Sequence, residues 1–296
     1  MKTAIIGLGL IGGSMAIDLR KAGLATMLVG VDNNAVHAKR AMELGLVDEV
    51  GGLEEAVNQA DLVITAIPVN AIKNVLFKVL DRISENSIVI DTGSTKSMIC
   101  KAIENHPRRK QFIAAHPLAG TENSGPDAAF SGLFSQKTNI ICEKEKSSDA
   151  ALEAAARIFS ALQLRTIFMD PVEHDKHVAY VSHLSHVSAF LLGQTVLDIE
   201  KDEKNIFNLA GSGFASTVRL AKSSPDMWAP IFEQNAEYLS QALLEYIMHL
   251  QKFQYHLMKR DVNELHRIMT SANHIRKVLE GMDVKQRPNQ IAENKS

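Results

Sequence analysis

The chain has 296 residues, 46% hydrophobic and 22% charged, a composition ordinary for one large or two moderate globular domains. Its formal net charge of −2 argues against a nucleic-acid or anionic-membrane partner, and no apolar run reaches the roughly 18 residues of a membrane span. Two cysteines, Cys100 and Cys142, lack metal-ligand spacing and point to a reducing compartment, so a cytoplasmic location is expected.

An apolar strand at residues 3–6 leads into Gly7-Leu8-Gly9-Leu10-Ile11-Gly12 and a helix-compatible run. Strand, glycine-rich turn and helix in that order form a dinucleotide-binding signature, with backbone amides at the helix N-terminus facing a pyrophosphate. A second strand, Met27–Val31, is followed by Asp32, twenty residues beyond Gly12. That is near the spacing of a carboxylate that binds a ribose 2′-hydroxyl. Asp32 would repel a 2′-phosphate, and Asn33-Asn34 offer no arginine to receive one, so NAD is predicted over NADP. The same opening resembles a secretion signal only superficially: glycines break it, and it has no convincing cleavage site.

Further strands are predicted at 62–67, 87–90, 112–115, 139–142 and 165–168, with helices such as 71–80 and 150–162 between most of them. This alternation predicts an α/β fold, a doubly wound parallel sheet covered on both faces, over residues 1–169. Ligands bind beyond the carboxyl ends of such strands. Ala66-Ile67-Pro68, Asp91-Thr92-Gly93-Ser94 and His116 all fall at those ends. A histidine there, with an ordinary pKa of about 6.5, can accept a proton from whatever a bound nicotinamide oxidises.

The pattern changes at Asp170-Pro171-Val172-Glu173, where an N-cap, a first-turn proline and a glutamate start a helix. From there to residue 282 an all-α domain is predicted, followed by a polar tail at 283–296 expected to be disordered. The first helix carries His174, His177, His183 and His186. Helical geometry puts His183 and His186 about 60° apart, while His174 and His177 project elsewhere. With no second ligand cluster, no metal site is expected, and His174 and His177 read as solvated or structurally satisfied. Ser224-Pro225 begins one long predicted helix, with a seam for helix packing from Phe232 to Leu257. Asp261 with Glu264 caps a final helix. Gly211-Ser212-Gly213-Phe214 reads as a sharp loop. Arg219 beyond it is either a surface arginine or a carboxylate clamp, and Trp228 would ordinarily be core.

The chain resembles the prephenate dehydrogenase family, which includes arogenate dehydrogenases. The motifs that carry the resemblance are the Gly7–Ser14 turn, Asp91-Thr92-Gly93-Ser94-Thr95-Lys96, the block from His116 to Gly125, Ser182-His183-Leu184-Ser185-His186, and Gly213-Phe214 through Arg219 to Trp228. They lie in family order over roughly residues 1–282. The resemblance implies a Rossmann-type NAD-binding domain, an all-α C-terminal dimerisation domain and a homodimer. It implies that His116 acts on the substrate hydroxyl with Ser94 beside it, and that Arg219 holds a carboxylate. It also places Thr121, Glu122, His186 and Trp228 at the substrate, Trp228 from the partner subunit. Gly7, Leu8, Gly9, Leu10, Ile11, Gly12, Asp32, Ile67 and Pro68 would hold the cofactor. Ser185 departs from the family, where many relatives have proline, and only a local helix change is expected. Neither a fused chorismate mutase nor a regulatory domain after residue 282 is expected.

The implied reaction is oxidative decarboxylation of prephenate in tyrosine biosynthesis. Arogenate, with an amino group in place of the oxo group, is the nearest alternative, and His186 leans toward the oxo acid. A hydroxyacid or pyrroline-carboxylate oxidoreductase would lack the His116 block. A non-enzymatic NAD sensor would not need Ser94, His116 and Arg219 together.

Overall fold

A computed structural model describes residues 1–202 and 205–286. Eight strands, β1 (Lys2–Ile6), β2 (Met27–Val31), β3 (Glu49–Val50), β4 (Leu62–Thr65), β5 (Ile88–Asp91), β6 (Phe112–Pro117), β7 (Thr138–Cys142) and β8 (Arg165–Met169), form one sheet. Their order is β3-β2-β1-β4-β5-β6-β7-β8. The order reverses direction beside β1, which opens a crevice between the turns after β1 and β4.

Apolar runs bury both faces of these strands. Ile5, Ile64 and Ile113 belong to one cluster with Met15 and Leu19 of α1 (Leu10–Lys21) and Ile158 and Phe159 of α6 (Asp149–Ala161). Val63, Val89 and Phe112 point to the other face, with Leu76 and Val79 of α4 (Val69–Arg82). Truncating a side chain such as Leu76, which is fully buried, costs about 2–5 kcal/mol. Three short helices, α2 (Ala35–Glu43), α3 (Leu53–Val57) and α5 (Ser97–Ala102), complete this part.

One strand pair departs from the purely parallel expectation. β7 runs antiparallel to β6, with His116 opposite Ile140. Parallel neighbours need a crossover, usually helical. Between β6 and β7 the chain forms no α-helix, only the 3₁₀ turn Pro126–Ala128, so it returns antiparallel. β8 then pairs parallel to β7.

After β8 the described residues hold helices only: α7 (Pro171–Val178), α8 (Leu184–Asp202), α9 (Ser212–Val218), α10 (Pro225–Gln234), α11 (Ala236–Met258), α12 (Val262–Ala272) and α13 (Ile275–Gln286). Asp170 caps α7 by accepting the amides of Val172 and Glu173. Asp261 caps α12 by accepting the amide of Glu264.

Four local expectations change. The long helix after Ser224 is two helices, broken at Asn235, whose buried carboxamide is drawn into tertiary hydrogen bonds. The final helix is also two, separated at Asn273-His274. Ser212, Gly213 and Phe214 begin α9 rather than forming a loop, because Gly211 serves as its N-cap. Helix α13 continues through Gln286, into the segment expected as a polar tail; the rest of that tail lies outside the described residues.

The chain forms two compact units, residues 1–239 and residues 240 onward. No helix among the described residues is long and apolar enough to cross a membrane.

Candidate active site

The turn after β1 is built for close approach. Gly7 has φ +95°, and a Cβ there would fall 2.2 Å from the Ala66 carbonyl oxygen. A Cβ on Gly12 would fall 1.9 Å from the Gly7 oxygen. Both positions therefore demand glycine. At Gly9 the space is open, the nearest atom being the Gly125 amide nitrogen at 4.0 Å. Gly9 is the N-cap of α1, with no side-chain cap and no acidic residue in the first turn. Amides so placed suit a bound anion.

Asp32 is engaged within the protein. Its Oδ2 accepts the Leu8 amide at 2.9 Å and its Oδ1 accepts the Asn34 amide at 2.9 Å. The carboxylate thus pins the turn, and Leu8, whose side chain is core, spends its amide inside the protein. Ile67 is half-buried and Pro68 exposed, at the start of α4 beside this turn.

The β6–β7 loop closes over the same region. Arg40 of α2 pairs with Asp127 at 2.6 Å, the Phe130 amide donates to Ser14 Oγ, and Asp18 accepts from Ser131 and Gly132. Long loops in compact domains are commonly functional. This one carries Thr121, whose Oγ1 accepts the Asn123 amide, and Glu122.

His116 stands at the carboxyl end of β6, partly buried. Its Nδ1 lies 2.8 Å from Nε2 of His174, which is fully buried, and Nδ1 of His174 lies 2.8 Å from Oδ1 of Asp175. Asp175 also accepts the amides of Lys96 and Ser97, tying α7 to α5. Burial pushes the pKa of His116 well below 6.5, and the neighbouring His174 and Lys96 lower it further. Burial likewise lowers His174, outweighing Asp175. For Asp175 burial acts upward, but hydrogen bonds from His174 and Ser97 prevail and hold the carboxyl below its ordinary range. At neutral pH both rings are neutral and the carboxylate is ionised.

Ser94 is half-buried in the β5–α5 loop. That loop is braced by a fully buried ion pair between Lys96 and Asp91, whose Oδ1 also accepts the Gly93 amide.

The helix after Asp170 contains a π turn, Ala179–His183. The wide turn removes about a quarter of a rotation from the helical count, which brings His174 and His183 to within about a quarter turn of each other. In an unbroken helix they would lie nearly opposite. Buried His183 accepts from Asn235 Nδ2 at 3.1 Å, and burial pushes its pKa down to about 4. The expectation that His174 projects away from the site is therefore corrected, whereas His177 is exposed. Ser185 lies two residues beyond the π turn, its Oγ 3.5 Å from the Val181 carbonyl.

His186 stacks on Trp228, ring centroids 3.5 Å apart. Trp228 is buried within its own subunit here, against His183 and Phe232 as well. Nδ1 of His186 donates to the Ser182 carbonyl, and burial lowers its pKa, with Arg219 contributing. Arg219 donates to Glu122 at 2.9 Å.

His116, His183, His186, Arg219, Glu122 and Trp228 are thus linked by contacts or mutual charge. Sequence reasoning missed Asp175, Lys96 and Asn235, and passed over His174. The one local signal was the His174-Asp175 dipeptide in a well-capped first turn.

Comparison with known proteins identifies the family. Residues 15–168 match the family model for the prephenate dehydrogenase nucleotide-binding domain, and residues 170–271 match its dimerization domain. A cyclohexadienyl dehydrogenase of Zymomonas mobilis is 33% identical over 87% of this chain and 89% of its own length. A crystal structure of prephenate dehydrogenase from Aquifex aeolicus, in complex with hydroxyphenyl propionate and NAD+, superposes with TM-score 0.85 at 30% identity, covering 94% of this chain and 97% of that one. Synechocystis arogenate dehydrogenase gives TM-score 0.73 at 29% identity, covering 94% of this chain and all of that one. The chain belongs to the prephenate dehydrogenase family, oxidoreductases of aromatic amino acid biosynthesis.

Proposed function

We propose that this protein catalyses the NAD-dependent oxidative decarboxylation of prephenate to 4-hydroxyphenylpyruvate, with His116 accepting the 4-hydroxyl proton. The observation that carries the reading is a neutral histidine at the carboxyl edge of the sheet, held by a second buried histidine. Residues 1–169 are assigned to nucleotide binding and 170–282 to the substrate and dimerisation.

The glycine turn, with its open face at Gly9 and uncapped α1, fits a dinucleotide pyrophosphate, and Asp32 still has lone pairs for a ribose hydroxyl. Bound NAD supplies the acceptor for the hydride that leaves carbon 4. His116 takes the hydroxyl proton as the C–O bond becomes a carbonyl, and Ser94 stands in the neighbouring loop to orient that hydroxyl. Cleavage of the bond to the ring carboxylate returns its electron pair to the ring, which becomes aromatic as CO₂ departs. Arg219 keeps free donors beyond the one given to Glu122, enough to hold a substrate carboxylate. Thr121, Glu122, His186 and Trp228 line the substrate side in this reading.

A specific observation favours arogenate as the second reading. Because Nδ1 of His186 donates to a carbonyl, a neutral His186 presents an unprotonated Nε2. That atom suits the ammonium group of arogenate better than the oxo group of prephenate.

A homodimer through the helical half completes the proposal. On α11 the apolar side chains Met248, Leu250 and Leu257 are 57%, 51% and 56% exposed in the single chain. Exposed apolar surface of this extent marks an association site.

The test is purified protein with NAD and either prephenate or arogenate, followed by the absorbance of reduced cofactor. Reduction with at least one supports the reading, and the faster of the two identifies the substrate. No reduction with either overturns it in favour of an NAD sensor.

A further inference from the structure

We propose that His174 and Asp175 are positioning residues that lock His116 in the tautomer with a bare Nε2. The inference rests on the reading of His116 as the base and adds what prepares it. The chain of hydrogen bonds can be followed from its fixed end. Oδ1 of Asp175 accepts the Lys96 amide at 2.8 Å and Oδ2 accepts the Ser97 amide at 2.8 Å. Backbone amides only donate, so both oxygens are committed as acceptors.

His174 Nδ1, 2.8 Å from the same Oδ1, must therefore donate. A neutral His174 then has its lone pair on Nε2, which lies 2.8 Å from His116 Nδ1. His116 Nδ1 must carry the proton that fills this bond, which leaves Nε2 of His116 unprotonated and free to accept from substrate. Two amides at the start of α5 thus determine, through three side chains, where a proton can land on β6. Asn235 secures the far side by donating to the Asp175 carbonyl at 2.7 Å.

The opposite arrangement is chemically definite. An imidazolium at His174 would donate to His116 Nδ1 and force its proton onto Nε2, which could not then act as a base. Burial of the two rings works against that extra charge.

The test combines nitrogen NMR of ¹⁵N-histidine-labelled protein with kinetics of two His174 variants. Signals of His116 are identified by their loss in His116→Asn. At neutral pH the wild type should show His116 protonated at Nδ1 and bare at Nε2. His174→Leu, with no acceptor, should lower kcat by about tenfold or more, short of the roughly 10²–10⁴-fold of losing a general base, and leave KM within about twofold. His174→Gln can place a carbonyl oxygen near the lost Nε2 and should recover most of that loss. His116 protonated at Nε2 in the wild type, or equal kcat in the two variants, overturns the proposal. If His174→Leu fails to fold, the wild-type spectrum decides alone. Normal kcat in His116→Asn would overturn the reading of His116 as the base, while the spectrum would still judge the relay.

Discussion

Arg219 and Glu122 form an ion pair at 2.9 Å that joins residues 97 positions apart, one before α10 and one in the β6–β7 loop. Its exposure limits its value to stability to roughly 0–1 kcal/mol. Its interest is competition: in the proposed function, a substrate carboxylate shares the guanidinium with Glu122. Arg219→Ala is expected to raise KM chiefly, because contact with a carboxylate exists in ground and transition states alike. Glu122→Gln should move KM the other way, downward a few-fold. Steady-state kinetics of both variants check the pair, and a fall in kcat alone for Arg219→Ala would refute the clamp.

In the proposed function Asp32 acts on the cofactor twice. Asp32→Ala should narrow the preference for NAD over NADP by removing both the ribose bond and the repulsion of phosphate. It also frees the Leu8 amide and loosens the turn, so KM for both cofactors should rise. Equal efficiency of the wild type with NAD and NADP would count against this role.

His116→Asn should lower kcat by about 10²–10⁴-fold while KM stays nearly constant. The pH profile is a sharper check. An isolated histidine would place the rise in rate near pH 6.5, but burial and His174 push His116 well below that value. The neutral base therefore persists on acidification, and kcat/KM should stay flat through pH 6.5, falling only well below it. A midpoint at 6.5 would show His116 to be solvated.

The same burial makes the fold acid-sensitive. His183, with its pKa near 4, stays neutral in the folded protein while the unfolded chain takes up a proton below about 6.5. The unfolded state then binds more protons, so stability falls as pH drops from 6.5 toward 4 and is complete above 6.5. The cost from His183 is on the order of 3 kcal/mol. His116, His174 and His186 shift in the same direction. Thermal melts should show Tm falling across this window. In His183→Asn, with no imidazole to protonate, the fall should be smaller.

The exposed apolar side chains of α11 predict a dimer at micromolar concentration by sedimentation. Leu250→Glu should shift it toward monomer. A wild-type monomer would remove the dimer from the proposal.

What the sequence by itself determined is what local rules can reach. The glycine turn, the Asp170 and Asp261 caps and the apolar strands all depend on residues within a turn or strand of one another, and Asp32 was read from a fixed spacing to the turn. The place of His116 at the carboxyl end of β6 was legible because it ends an apolar run. The His116–His174 contact was not, because it spans 58 positions and depends on how α7 lies across the sheet. Nothing in the periodicity of residues 174–186 announces the π turn that brings His183 round to Asn235. The break at Asn235 was hidden for a related reason: its residues have helical propensity, and only tertiary bonds to Asp175 and His183 use the buried carboxamide. The antiparallel β7 likewise follows from a connection without a helix, which strand patterns alone do not encode. Sequence determined which groups are present and which edge they occupy. Tertiary packing decided their protonation, because burial and a second histidine set it.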